Sequence, residues 1–196
     1  MLHTSRIPPG FIGLDQYNLI VDLAQSLPQG SSVLEIGSGF GRSTHAWLSG
    51  LKDSTMEILD DWEWHNIHNG LYEKMKPFEI NEQDWNSIKE INNHFESWKH
   101  FVSQHPNFDY IKKIHSTTTE LYRNKMLTNK FDCVYLDDSH NPDDVTESLN
   151  YFSQSPILCG DDYNSSWPEL STAIKNYAVK SNKNLTVHSC GFWTIK

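Results

Sequence analysis

The stretch Val33-Leu34-Glu35-Ile36-Gly37-Ser38-Gly39-Phe40-Gly41-Arg42-Ser43-Thr44 limits what this chain can become more than any other. A short apolar run ends in an acid, three glycines follow at a spacing of two, and polar residues then lead into a longer segment. Val33 to Ile36 reads as a buried strand, and Arg42 through Leu48 as the helix after it. Glycines at such a turn let the main chain bend sharply and let a ligand lie against it without meeting a Cβ. The helix amides behind the turn favour an anionic or carboxylate group. The turn suits a ligand of the nucleotide type.

Spacing narrows the ligand. A dinucleotide fingerprint needs glycines at positions one, three and six. Counted from Gly37, the sixth position is Arg42, and the third glycine comes one place early at Gly41. Glu35 stands at the strand end, where a carboxylate can accept from an ammonium or a bound water. The pattern Glu-x-Gly-x-Gly-x-Gly resembles motif I of the class I S-adenosylmethionine (SAM)-dependent methyltransferases. The resemblance makes Glu35, Gly37, Ser38, Gly39, Gly41 and Ser43 the candidate contacts to that cofactor.

At 196 residues the chain suits one domain with a sizeable core. Its net charge of −9 and the lack of any basic run argue against nucleic acid or an anionic membrane as partner. Cys133, Cys159 and Cys190 show no metal spacing, and the first two sit in apolar runs that suit buried thiols. Neither a secretory signal nor an apolar run of membrane-spanning length is visible, so a reducing, cytoplasmic setting is expected.

An irregular leader holding Pro8, Pro9, Gly10 and Gly13 precedes a helix over 14–27, whose Ile20, Leu23 and Leu27 share a face. Thr55 to Leu59 reads as a second strand ending in Asp60-Asp61. Ligands of doubly wound sheets sit beyond the carboxyl ends of strands, where an acid can take two ribose hydroxyls. Asp60 is the choice, with Asp61 close behind; capping the next helix is the alternative. Residues 62–105 exceed what one helix and its connections need, and read as a helical insert able to cover the site, with Ile88, Ile91, Phe95 and Trp98 on one helical face. A third strand over 110–115 leads to Ser116-Thr117-Thr118-Thr119-Glu120, an N-cap with an acidic first turn. Ser116 is also placed to lie beside an adenine.

Phe131 to Leu136 reads as a buried central strand ending in Asp137-Asp138-Ser139-His140, and Asn141-Pro142 then opens a helix. Pro156 to Cys159 forms the next strand, followed by Gly160-Asp161-Asp162-Tyr163. A helix from Pro168 to about Lys180 and a closing pair, 185–188 and 192–195, complete the chain. If the two strands adjoin, Asp137 meets Asp161 and Asp162. Carboxylates converging in a cleft repel and take up protons unless a cation is present. An all-oxygen set suits Mg²⁺, Mn²⁺ or Ca²⁺, with Mg²⁺ the expectation. Helix capping is the plainer explanation of the same acids. His140, three residues after Asp137, is a candidate general base.

Phe131-Asp-Cys-Val-Tyr-Leu-Asp-Asp-Ser-His140, with Gly160-Asp-Asp-Tyr163, Trp167 and Ala173, resembles the metal-dependent O-methyltransferases related to macrocin and mycinamicin sugar methyltransferases, known as methyltransferase family 24. Leu59-Asp-Asp-Trp62 and Phe192-Trp-Thr-Ile-Lys196 are similar to further segments of that group. The resemblance implies Asp137, Asp161 and Asp162 around a divalent cation, His140 as base, and Gly37, Gly39, Asp60 and Asp137 around SAM. Asp138 stands where the group has glycine. The expected fold is a Rossmann-like α/β domain with a seven-stranded, mostly parallel sheet and helices on both faces. The expected reaction is methylation of a hydroxyl on a small metabolite such as a sugar; a metal-independent N- or C-methyltransferase and a non-catalytic partner module are the alternatives. A homo-oligomer is left open.

Overall fold

The computed structural model describes residues 6–62, 69–78, 80–116, 127 and 130–196. Seven strands form one sheet: β1 (Ser32–Ile36), β2 (Thr55–Leu59), β3 (Ile111–His115), β4 (Cys133–Leu136), β5 (Ile157–Gly160), β6 (Leu185–Val187) and β7 (Trp193–Ile195). Their order is β3-β2-β1-β4-β5-β7-β6. The first five run parallel, and β7 runs antiparallel to both β5 and β6. The fold expected from the sequence is the one observed, with strand ends shifted by a residue or two.

Alternation along the central strands sorts two cores. Val33, Cys133 and Tyr135 face a layer holding α1 (Leu14–Ser26) and α2 (Arg42–Gly50), where Ile20, Leu23, Ala46 and Trp47 are buried. Leu34, Ile36, Val134 and Leu136 face the other side, against α6 (Pro142–Tyr151) and α7 (Pro168–Lys180). Strands covered on both faces lose polar alternation, which is why β1 and β4 read as near-continuous apolar runs. The thiols of Cys133 and Cys159 lie 3.7 Å apart inside this core, unbridged.

The insert contains α3 (Asn69–Met75), α4 (Glu82–Ile91) and α5 (His94–Val102). One helical face running from Ile88 to Trp98 is not what forms. Asn92 closes α4 in the left-handed region at φ 47°, and Asn93 opens α5 by accepting from the Glu96 amide at 2.9 Å. Two successive asparagines supply the stop and the start, since one tolerates positive φ and the other caps. Trp62 and Trp98 pack with Phe95 in the main core, which ties the end of the insert to the sheet. Phe40, from the glycine turn, gathers Met75, Ile80, Trp85 and Ile88 into a smaller cluster. The helix expected after Ser116 lies outside the described residues, apart from Ser116 itself.

Candidate functional site

β1, β2, β4 and β5 all end at one edge of the sheet, where a cavity of about 790 Å³ opens. Its floor is the glycine turn, with Gly37, Ser38, Gly39 and Ser43 among the lining residues. Asp60 and Asp61 enter from β2, Asp137, Asp138 and His140 from β4, and Asp161 and Asp162 from β5. Adjacent parallel strands in register make this convergence inevitable: Ile36 pairs with both Leu59 and Leu136, and Leu136 pairs with Gly160.

The three glycines answer different demands. A Cβ on Gly37, at φ 81°, would collide with the Asp137 carbonyl, so its absence lets the ends of β1 and β4 close up. A Cβ on Gly39 would meet nothing within 4 Å. One on Gly41, at φ 96°, would strike Val102 and come within 3.1 Å of Trp98. Gly41 therefore serves the seat of α5 and does not line the cavity, contrary to what its place in the motif suggests.

Glu35 also departs from expectation. It is fully buried behind the turn rather than on the cavity wall. Its Oε2 accepts from Thr44 Oγ1 at 2.5 Å and from Ser38 Oγ at 3.3 Å, while Oε1 has no hydrogen-bond partner among the described residues. Burial, partly offset by nearby hydroxyls, pushes this carboxyl up to about 7. It braces the turn from below. Ser116 is exposed and lies outside the cavity lining.

Asp60 has two roles. Its Oδ2 accepts from the amides of Ser38 at 2.7 Å and Gly39 at 3.1 Å, and Oδ1 accepts from the Trp62 amide at 2.9 Å. The carboxylate thus clamps the turn while still facing the cavity, where a carboxylate's remaining lone pairs can meet ribose hydroxyls.

Carboxylate oxygens of Asp137, Asp161 and Asp162 all lie within 4.8 Å of one another. Burial, then repulsion from Asp161 and Asp162, raises Asp137 well above the usual carboxylate range. Burial, then Asp162, pushes Asp161 up to about 6. Asp138 is likewise pushed up to about 6, chiefly by burial. Such a set is costly when charged and fits a hard divalent cation, which would relieve the repulsion. Asp162 has left-handed backbone, φ 65°, and its amide donates to Asp161 Oδ1 at 2.6 Å.

Two partners hold the His140 imidazole: Nε2 lies 2.7 Å from Asp162 Oδ2, and the ring stacks on Trp167 with centroids 4.0 Å apart and 17° between planes. The ring remains open to solvent, with 49% of its side chain exposed.

Several wall residues carry no sequence signal. The irregular leader folds across the cavity, where Gly10, Phe11 and Ile12 line it. Arg42, the first residue of α2, ties it down by donating to the carbonyls of Pro8 and Ile12, each at 2.8 Å. Phe11 meets Phe78 of the insert edge-on at 6.0 Å, and Leu71 and Lys74 of α3 complete that side. His94 Nε2 lies 2.9 Å from the Gly39 carbonyl. Nothing local marked the leader's position or that of His94.

No protein-family model matches the chain, and no curated protein matches it. Solved structures do. The O-methyltransferase TomG of Streptomyces achromogenes, involved in tomaymycin synthesis and solved with SAM, is 16% identical with a TM-score of 0.59, over 94% of this chain and 79% of that one. An O-methyltransferase of Bacillus cereus solved with S-adenosylhomocysteine is 17% identical with a TM-score of 0.56, over 96% and 84% of the two chains. A methyltransferase from Geobacter sulfurreducens is 12% identical with a TM-score of 0.58, over 92% and 77%. With its strand order and its single reversed strand, the chain has the class I methyltransferase fold.

Proposed function

We propose that this protein is a SAM-dependent methyltransferase acting on a hydroxyl of a small metabolite such as a sugar, with a divalent cation, Mg²⁺ by preference, among Asp137, Asp161 and Asp162. The observation that carries the reading is one cavity joining the glycine turn to three convergent carboxylates and a histidine. The fold and its SAM-bound neighbours support the donor. The acids on the cavity wall favour a ligand bearing a sulfonium and an ammonium, and the net charge of −9 favours a small acceptor over nucleic acid or membrane. Among the described residues no helix is long and apolar enough to cross a membrane, and the cytoplasm is the proposed setting.

When bound, SAM supplies an electrophilic methyl group and the cation supplies Lewis acidity toward a hydroxyl. The chain does the rest. Gly39 leaves room for the donor against the main chain, and Asp60 holds the turn rigid while facing the ribose position. Asp137, Asp161 and Asp162 would hold the cation. With Nε2–H donating to Asp162, His140 keeps its lone pair on Nδ1, the atom that takes the acceptor's proton. Phe11, Phe78 and Leu71 supply an apolar wall to the same cavity.

The His140–Asp162 hydrogen bond also supports a cation-free reading, in which Asp162 serves only to orient the ring. Calorimetric titration with SAM and with Mn²⁺, followed by turnover on a panel of hydroxylated metabolites, tests both. Activity lost in EDTA and restored by Mg²⁺ or Mn²⁺ is the expected result. Full turnover in chelator removes the cation, and absence of SAM binding removes the reading.

A further inference from the structure

A layer of side chains lies beneath the acids, and neither motif marks it. Gln16 belongs to α1, far in sequence from the strand ends, and is only 3% exposed. Its Nε2 donates to the Tyr135 hydroxyl at 3.4 Å. Tyr135 is fully buried and stands two residues before Asp137 on β4, on the same face of the sheet. Its hydroxyl donates to Asp137 Oδ2 at 3.1 Å. Asp162 is met by His140 instead. Asp137 and Asp162 therefore each have a side-chain partner outside the triad.

We propose that Tyr135, itself held by Gln16, is a positioning residue that fixes Asp137 at the separation from Asp161 and Asp162 that a divalent cation requires. The inference rests on the cation reading given above. Two carboxylates at adjoining strand ends repel, and torsion about their side-chain bonds lets them swing apart. A neutral donor to Asp137 offsets part of that repulsion and fixes the carboxylate plane. It does so without the positive charge of a lysine or arginine, which would compete with the cation for the same oxygens. The layer has the chemistry this role requires, one phenol backed by one amide.

Packing does not account for the polar atoms. Tyr135 meets Trp47 and Phe192 through its ring, with centroids 6.1 and 6.5 Å away, contacts a phenylalanine would keep. A buried hydroxyl and a buried amide cost stability unless they are bonded. Their bonds run toward the acids.

The test uses the full chain as Tyr135→Phe, Gln16→Leu and the double variant. Mn²⁺ affinity is measured by calorimetry, alongside SAM affinity and melting temperature. Tyr135→Phe should bind Mn²⁺ about 10- to 100-fold more weakly, the usual effect of removing a partner of a metal ligand, with SAM affinity unchanged. Gln16→Leu should also weaken Mn²⁺ binding, and the double variant should lose less than the two single losses combined, since Gln16 acts through Tyr135. Wild-type Mn²⁺ affinity in folded Tyr135→Phe overturns the proposal. Should that variant fail to fold, wild-type affinity in Gln16→Leu overturns it equally. A wild-type protein that binds no Mn²⁺ overturns the cation reading itself, and that failure is recognised without any variant.

Discussion

Replacing Gly41 with alanine separates the architectural glycine of the turn from those at the ligand. The backbone there has φ 96°, where an L-residue costs roughly 1–2 kcal/mol. The new Cβ would strike Val102 Cγ2 and press on Trp98, both fully buried in a core that cannot expand freely. Overpacking of this kind adds about 1–3 kcal/mol. The total, about 2–5 kcal/mol, is a large share of the stability of a domain this size. At about 2–4 °C per kcal/mol, the melting temperature should fall by roughly 4–20 °C in calorimetry. Adding Val102→Ala should recover the packing part and leave the backbone part, so the pair should be more stable than additivity predicts by about 0.5–3 kcal/mol. Below the transition, SAM affinity should match wild type. Gly39→Val also carries backbone strain, at φ 54°, but its Cβ meets nothing within 4 Å, so it should lower melting temperature through the backbone alone while abolishing SAM binding. A Gly41→Ala protein with unchanged melting and lost SAM affinity would refute this division of labour.

His140→Ala should lower kcat by about 10²- to 10⁴-fold, the usual contribution of a general base, with SAM affinity unchanged. Because His140 is also the partner of Asp162, its loss should weaken Mn²⁺ binding by about 10- to 100-fold, and both affinities are measured in the same variant. Stability should depend on pH in the metal-free protein. Burial raises Glu35 to about 7 and Asp138 and Asp161 to about 6, so the native state binds more protons than the unfolded chain. The stability these groups contribute is complete below their unfolded pKa values and is lost as pH rises through 6 to 7. His105, pushed down to about 4 by burial, works the other way, and its contribution is lost as pH falls from 6.5 toward 4. Three raised carboxyls outweigh one lowered histidine, so melting temperature should fall steadily from about pH 4.5 to about pH 7.5, with Mg²⁺ flattening the decline.

What the sequence disclosed depended on period and register. Buried parallel strands announce themselves as apolar runs, and their ends collect at one edge whatever the loops do. Asp60, Asp137, Asp161 and Asp162 were therefore visible as a group. Side-chain direction at that edge was not. Glu35 and Asp60 both end strands, yet Glu35 points under α2 and Asp60 faces the cavity, a choice made by helix packing. Gly39 and Gly41 look equivalent on paper, and only the arrival of α5, from much later in the chain, gives Gly41 its separate role. The leader has no period at all, so its place over the cavity follows from the Arg42 guanidinium and two carbonyls. Gln16 carries no local signal, being one polar position on a helix whose apolar face is set by Ile20, Leu23 and Leu27.

β7 has a consequence for synthesis on the ribosome. It enters the sheet last, between β5 and β6, and its Trp193 Nε1 donates to the Asp161 carbonyl at 2.9 Å. Until residues 193–195 leave the exit tunnel, β5 has an open edge, β6 has no neighbour to pair with, and the backbone beneath Asp161 is unsecured. A nascent chain can close the glycine turn early, because β1, α2 and β2 are contiguous. It cannot finish the acidic end before translation has passed Ile195. Vectorial synthesis therefore orders the two halves of the cavity in time, donor side first and acid side last.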